Sequence, residues 1–263
     1  MRTLQRVGAG LLALTLATGV AACGDDDDAK TDTTEAGGGD GEASGDNAAF
    51  CDGVVEFNSA VSEVELDADT PEADVIAAGE TLAPLFDTVA ENAPDDLADT
   101  VNEFNDSVQP LTEGDAEAFS QDSTFETYTE LLGGAIKACE FETVDVTGVD
   151  FAFEGVPETI EAGTVAFKFT NATEADEEHE MIVFRRADGV TLGFEELLEL
   201  SEEESVDKIE FKTAAFAPPG GKGATLAELD PGAYAMVCFI PVGGGEDGPP
   251  HFIEGMIQEF SVE

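Results

Sequence analysis

The hydrophobic period of this chain changes once, at about Phe141, and that change bounds the folds open to it. Before it, apolar residues recur at spacings of three and four; after it, they alternate. Phe50, Val54, Phe57, Val61 and Val64 form a first helical stripe. Thr70-Pro71 then sets a capping residue before proline at a first helical position. Val75, Leu82, Leu85, Phe86 and Val89 line a second stripe, with Pro84 expected to kink it. Leu97, Val101, Phe104, Val108 and Leu111 make a third, and Phe125, Tyr128, Leu132, Ala135 and Cys139 a fourth. Four amphipathic helices with short connections predict an up-down-up-down bundle over residues 47–140.

Residues 144–263 read as β structure. Val149, Phe151 and Phe153 alternate with polar neighbours, as do Val165, Phe167 and Phe169. Met181-Ile-Val-Phe184 is a continuous buried-strand run, Ala233 to Cys238 follows a Pro231-Gly232 turn, and Met256 to Val262 ends the sequence. Short strands punctuated by Gly and Pro predict an antiparallel sandwich. Phe194 to Leu200 breaks the alternation as a short helix in a crossover reaching about Lys212. The fold class is therefore a two-domain chain, an α bundle followed by an all-β sandwich.

The first 46 residues fit neither pattern. Arg2 and Arg6 precede an apolar run from Val7 to Val20, and Val20-Ala21-Ala22-Cys23 closes it, which is the pattern of a signal peptide over 1–22. The run is short for a membrane span. Small residues before the cut also suit ordinary cleavage. The cysteine at the motif's end, followed at once by an Asp-rich tail, resembles a bacterial lipobox and makes Cys23 the expected lipidation site. Two acyl chains would anchor the protein without a transmembrane helix. Residues 23–46 are low-complexity Gly, Asp, Ser, Thr and Glu and read as a tether spanning on the order of 25–30 Å.

The formal net charge of −49 excludes one class of partner, because such a surface repels nucleic-acid phosphates. No Lys or Arg occurs between Thr31 and Ile136. The charge serves either as a solvating surface or to steer a basic redox partner.

Four cysteines and two histidines carry the remaining chemistry. An up-down-up-down bundle brings Cys51 and Cys139 to the same end, where they are expected to pair outside the cytoplasm, two separate buried thiols being the alternative. With Cys23 acylated, Cys238 is left over, either a small buried hydrophobe or a ligand. It lies in a run that presents Cys238, His251 and Met256 in order, and the other histidine, His179, opens a strand. One Cys, two His and one Met make up the donor set of a mononuclear copper electron-transfer site. Zinc is the less favoured alternative for the same donors. Met181 and Met236 read as core.

Three segments resemble the cupredoxins, the plastocyanin/azurin family. They are Phe169-Thr-Asn171 with His179-Glu-Met-Ile-Val-Phe184, then Leu229-Asp-Pro231-Gly232-Ala-Tyr234 through Cys238, and His251 separated by four residues from Met256. The resemblance spans about Val144 to Glu263 and implies a Greek-key sandwich holding one copper ion in a type 1 site. His179, Cys238, His251 and Met256 would be its ligands, shielded by Met236, Phe239, Ile240 and Phe252. Two departures stand out. Twelve residues separate Cys238 from His251, more than the family pattern, and Glu180 stands where plastocyanins carry Asn. The resemblance implies a membrane-tethered carrier of single electrons, docking through Pro249, Pro250, Phe252 and Ile253 around an exposed His251 edge. A copper storage or delivery lipoprotein and a copper-free interaction module are the alternatives. Two histidines are too few for a second, catalytic copper centre, so the chain is not expected to be an enzyme.

Overall fold

The computed structural model describes residues 47–64, 66, 70–174, 177–244 and 248–263. The signal peptide (1–22), Cys23 and the 23–46 tether lie outside the described residues. Four long helices come first, α1 (Ala48–Ser62), α2 (Glu72–Asn92), α3 (Ala98–Val108) and α4 (Asp122–Cys139). Nine strands follow: β1 (Glu142–Val149), β2 (Ala152–Glu154), β3 (Thr159–Ile160), β4 (Gly163–Asn171), β5 (His179–Arg186), β6 (Ile209–Ala217), β7 (Lys222–Leu229), β8 (Gly232–Val237) and β9 (Ile257–Val262). Two short helices, α5 (Phe194–Leu198) and α6 (Glu202–Ser205), lie between β5 and β6. Among the described residues, no helix is long and apolar enough to cross a membrane.

The helical stripes behave as their spacing dictates, with local differences. α2 starts at Glu72, so Pro71 is the residue before the helix rather than its first, and α2 continues through Pro84. Pro110 cannot extend α3, and Leu111 is buried from a 3-10 turn, Gln109–Glu113. Phe57, Phe86, Phe104 and Tyr128 converge edge-on and tilted, with ring centroids 5.3–6.4 Å apart. Cys51 and Cys139 form a disulfide that fastens the start of α1 to the end of α4.

The helices do not bury their stripes only against one another. Their core takes in Ala166, Ala224 and Leu226 from the sheet below. Asn58 of α1, buried, reaches across this boundary. Its Nδ2 donates to Leu226 O at 2.8 Å and its Oδ1 accepts from Tyr128 Oη at 2.8 Å. The small residues on β4 and β7 let the helices come close, so the helical part is a layer laid on the sandwich.

The sandwich has one sheet in the order β2-β1-β4-β7 and another in the order β3-β9-β8-β5-β6. The expectation of purely antiparallel pairing is corrected in two places, because β1 runs parallel to β4 and β3 parallel to β9. Val165, Phe167 and Phe169 face Met181, Val183 and Met236 across the interior, as their alternation requires. Met181 and Met236 are core residues, as read. Val149 does not share the face of Phe153, because the chain turns at Asp150, whose φ is +36°.

The 194–212 crossover is shorter than expected. β6 already begins at Ile209 and belongs to the sheet of β5, after which Pro218-Pro219-Gly220-Gly221 turns the chain into β7 of the other sheet. Gly223 is required there, since a Cβ would stand 2.2 Å from Phe216 O. α5 covers the outer face of the second sheet, burying Phe194 and Leu197 against Ala235 and Val237.

Candidate metal centre

Three chain ends meet at one end of the sandwich. β5 starts at His179 and pairs antiparallel with β8, Ile182 opposite Val237, so the start of one strand lies beside the end of the other. Cys238 follows β8 directly. His251 and Met256 sit just before β9, which also pairs with β8.

The long Cys238–His251 segment is laced to itself. Pro241 and Pro250 form a bridge, Val242 N donates to Pro249 O at 2.9 Å, and His251 N donates to Ile240 O at 2.9 Å. Phe252 N donates to Cys238 O at 2.9 Å. Extra length is thereby taken up at the tip, and the two ends are held as in a hairpin. Gly245 of that loop lies outside the described residues.

His179, Cys238 and His251 point their donor atoms at one another. All three are fully buried, and a set of their ligand atoms lies within 4.8 Å. His179 Nδ1 is 3.1 Å from His251 Nδ1, and Cys238 Sγ is 3.4 Å from His251 Nδ1. Two nitrogens each about 2.0 Å from one ion stand roughly 3.3–3.5 Å apart, so the group has the size of a coordination triangle. The chemistry of the set fits copper, with a soft thiol and two imidazoles in a buried position. Met256 is also fully buried. Its N–H donates to His251 O at 3.0 Å and its carbonyl accepts from Cys238 N at 3.2 Å, tying it by backbone to both ligand candidates. A Cβ on Gly148 would stand 3.3 Å from the Met256 methyl and 3.0 Å from Phe169, so a small residue is needed behind the thioether.

Burial controls the protonation of the group. It pulls the His179 imidazole down to about 4, with the neighbouring His251 adding to the effect against Glu177 and Asp150. His251 is lowered by the same cause, opposed by Glu177. Burial pushes the Cys238 thiol up to about 12, reinforced by the Glu180 carboxylate. Without metal, therefore, the imidazoles are neutral and the thiol is protonated at neutral pH.

The surrounding polar groups position the three ends. Glu180 replaces the Asn of the plastocyanin pattern, yet its Oε1 accepts from Phe239 N at 2.9 Å. The residue after His179 is thus tied to the residue after Cys238. Asn171 Nδ2 donates to Glu177 O at 2.9 Å and Ala217 O at 3.1 Å, fixing the loop that leads into His179. Phe151 packs edge-on against His251 at 5.1 Å. Of the shielding residues read from the sequence, Met236 is buried beside Cys238 in the interior, with Ile240 against it. Phe239 and Phe252 stack edge-on together at 5.2 Å on the α5 side.

One expectation is corrected. The imidazole of His251 is not exposed, since it is fully buried, while Ile253 beside it is 58% exposed and Pro249 is exposed. What covers it is Glu177, whose Oε2 lies 2.8 Å from His251 Nε2, off the axis of an aligned N–H bond. Sequence reasoning missed Glu177. Its one signal was its place two residues before His179, inside a run of acids with nothing to set it apart.

No family model matches the chain, and no curated protein matches it. Among solved structures, it is similar to auracyanin A, a blue copper protein from the green thermophilic photosynthetic bacterium Chloroflexus aurantiacus. The identity is 16% over 46% of this chain and 98% of that one, at a TM-score of 0.31. It is also similar to an azurin from Methylomonas sp. strain J (14%, 46% and 98%, TM-score 0.30). Rusticyanin from Thiobacillus ferrooxidans is a third (19%, 46% and 78%, TM-score 0.29). Structures of multicopper oxidases match as well. The ligand set rests on the geometry above and not on these likenesses. Structures of auracyanin, azurin and rusticyanin each match 46% of the chain, and the described residues themselves hold a candidate His179–Cys238–His251 site.

Proposed function

We propose that this chain is a membrane-anchored, extracytoplasmic blue copper protein that carries single electrons between redox partners. The observation that carries the reading is the buried triangle of His179 Nδ1, His251 Nδ1 and Cys238 Sγ, drawn from three chain ends that backbone bonds hold together. These three atoms would hold one copper ion, with the buried Met256 thioether as a further, weak donor. Copper, when bound, takes up and gives back one electron. The protein's part is to keep the donors fixed between the two states, which the laced loop and the Glu180–Phe239 tie do, and to keep water out.

Burial favours a carrier over a storage or delivery protein, because an ion held by three donors with no exposed surface exchanges slowly. Zinc would satisfy the same donors but moves no electron. An oxidase would need further histidines for a second centre, and the sequence has two in all. The chain is accordingly read as a carrier and not an enzyme. Lipidation at Cys23 and the 23–46 tether would hold the sandwich near a bilayer while letting it move. Exposed Pro249 and Ile253 would offer a small apolar contact near His251, and the −49 net charge would favour a basic redox partner.

Electrochemistry of the copper-loaded protein tests this reading against its nearest rival. A carrier gives a reversible one-electron wave and keeps its copper in the presence of an apo-acceptor. Loss of the ion to that acceptor, with no reversible wave, would assign the chain to copper delivery.

A further inference from the structure

We propose that Glu177 is a positioning residue for His251, and that its carboxylate sets the electron affinity of the centre through the outer nitrogen of that imidazole. The inference rests on the copper reading above.

The two candidate imidazoles are not equivalent. Each turns Nδ1 inward, toward the other ring and Cys238. On the far side, among the described residues neither Nε2 makes an aligned hydrogen bond, but His251 Nε2 has the Glu177 Oε2 carboxylate oxygen 2.8 Å away, and His179 Nε2 has no such ion pair. Among the described residues, therefore, one ring has a carboxylate against its outer nitrogen and the other does not.

Glu177 is itself held in place. Its backbone carbonyl accepts from the fully buried Asn171, whose amide also binds Ala217 O. Its second oxygen, Oε1, accepts from Gly243 N at 3.2 Å in the segment between Cys238 and His251. Gly243 has a φ of +78°, a conformation that glycine adopts without strain, so the loop presents that N–H to the carboxylate. The Glu177 side chain is 19% exposed. One carboxylate thus joins the loop entering β5, the tip of the ligand loop and the imidazole, in a partly desolvated position where its charge is poorly screened.

A carboxylate against the outer nitrogen makes a ligand imidazole a stronger donor. It also adds a negative charge near the ion. Both effects favour the more highly charged Cu(II) state and lower the reduction potential. A purely mechanical role, in which Glu177 only pins the loop, predicts no dependence on its charge. Glutamine separates the two, since it keeps an acceptor for Gly243 N–H and loses the charge.

The test uses the copper-loaded full chain, comparing wild type, Glu177→Gln and Glu177→Asp by visible absorption, Cu(II) affinity and potential. The expected result is a charge-transfer band in all three and a Cu(II) affinity lowered roughly tenfold or more in Glu177→Gln. If the Cu(I) affinity is unaffected, each tenfold corresponds to a rise of about 59 mV. Glu177→Asp, which keeps the charge at a shorter reach, shifts less in the same direction. A band in wild type and Glu177→Gln with equal potentials overturns this inference and leaves the copper reading standing. No band in wild type overturns both. If Glu177→Gln does not load, Glu177→Ala, which also removes the charge, decides, because an unchanged or lower potential there contradicts the role of the charge.

Discussion

His179 Nδ1 and His251 Nδ1, 72 residues apart in sequence, face each other at 3.1 Å inside the sandwich. Neither ring can afford a proton there, and the thiol beside them keeps its own. Metal binding must then release the Cys238 proton, while the imidazoles enter already neutral. Between about pH 6.5 and 9, copper or zinc affinity should rise about tenfold per pH unit, one proton per ion. A chelator-competition titration across that range checks it, and a flat profile would mean that the thiolate is not a ligand.

The same shifts set the pH stability of the metal-free protein. The folded-state pKa of His179 is about 4, below the usual 6.5, so between those values the unfolded chain binds more protons. Stability should be complete above about pH 6.5 and fall toward pH 4, with a limiting slope of about 1.4 kcal/mol per unit for each buried histidine. Cys238 acts in the opposite direction. Its folded value of about 12 lies above the ordinary 9.0, so its contribution is lost as pH rises through that window. Denaturant midpoints should show a plateau between about pH 6.5 and 9, and His179→Gln should flatten the acid limb.

The disulfide should matter more for the helical layer than for the site. Cys51 and Cys139 are 88 residues apart, and in the chain-entropy model a loop of that length is worth about 4–5 kcal/mol, an upper figure. The double replacement Cys51→Ser/Cys139→Ser should lower the denaturant midpoint accordingly. Copper binding by the folded protein should be unchanged, since the linked ends are remote from the ligands in sequence. Loss of copper binding with the fold intact would contradict this.

Asn58 is the polar link between α1 and the sheet. Asn58→Ala leaves Leu226 O and the Tyr128 hydroxyl without this partner in a buried place and should cost about 2–3 kcal/mol. Tyr128→Phe should cost less, because Asn58 keeps its bond to Leu226 O. A double-mutant cycle that gives strict additivity would show that the two do not act together.

The ligand candidates could be read from the sequence because their types are rare and they stand at strand ends. Two histidines and one unpaired cysteine leave few arrangements. The period change placed the helices and most strands for the same reason, since each buried face repeats the geometry of its element. β6 and β7 escaped because Ala, Thr and Gly carry much of them, small residues that give weak alternation. Those small side chains are what let two sheets and a helical layer approach closely, as Gly223 and Ala224 do. Parallel pairing of β1 with β4 leaves no trace in alternation, which reports a face and not a direction. Glu177 was hidden by composition. In a chain with 59 acidic residues, one carboxylate with a structural partner resembles the many that face solvent.

The most direct test is the visible spectrum of the purified protein loaded with one equivalent of Cu(II). An intense thiolate-to-copper charge-transfer band is expected, lost in Cys238→Ser and shifted in Met256→Leu. No such band in the wild-type protein, or a band that survives Cys238→Ser, would contradict a copper centre built on His179, Cys238 and His251.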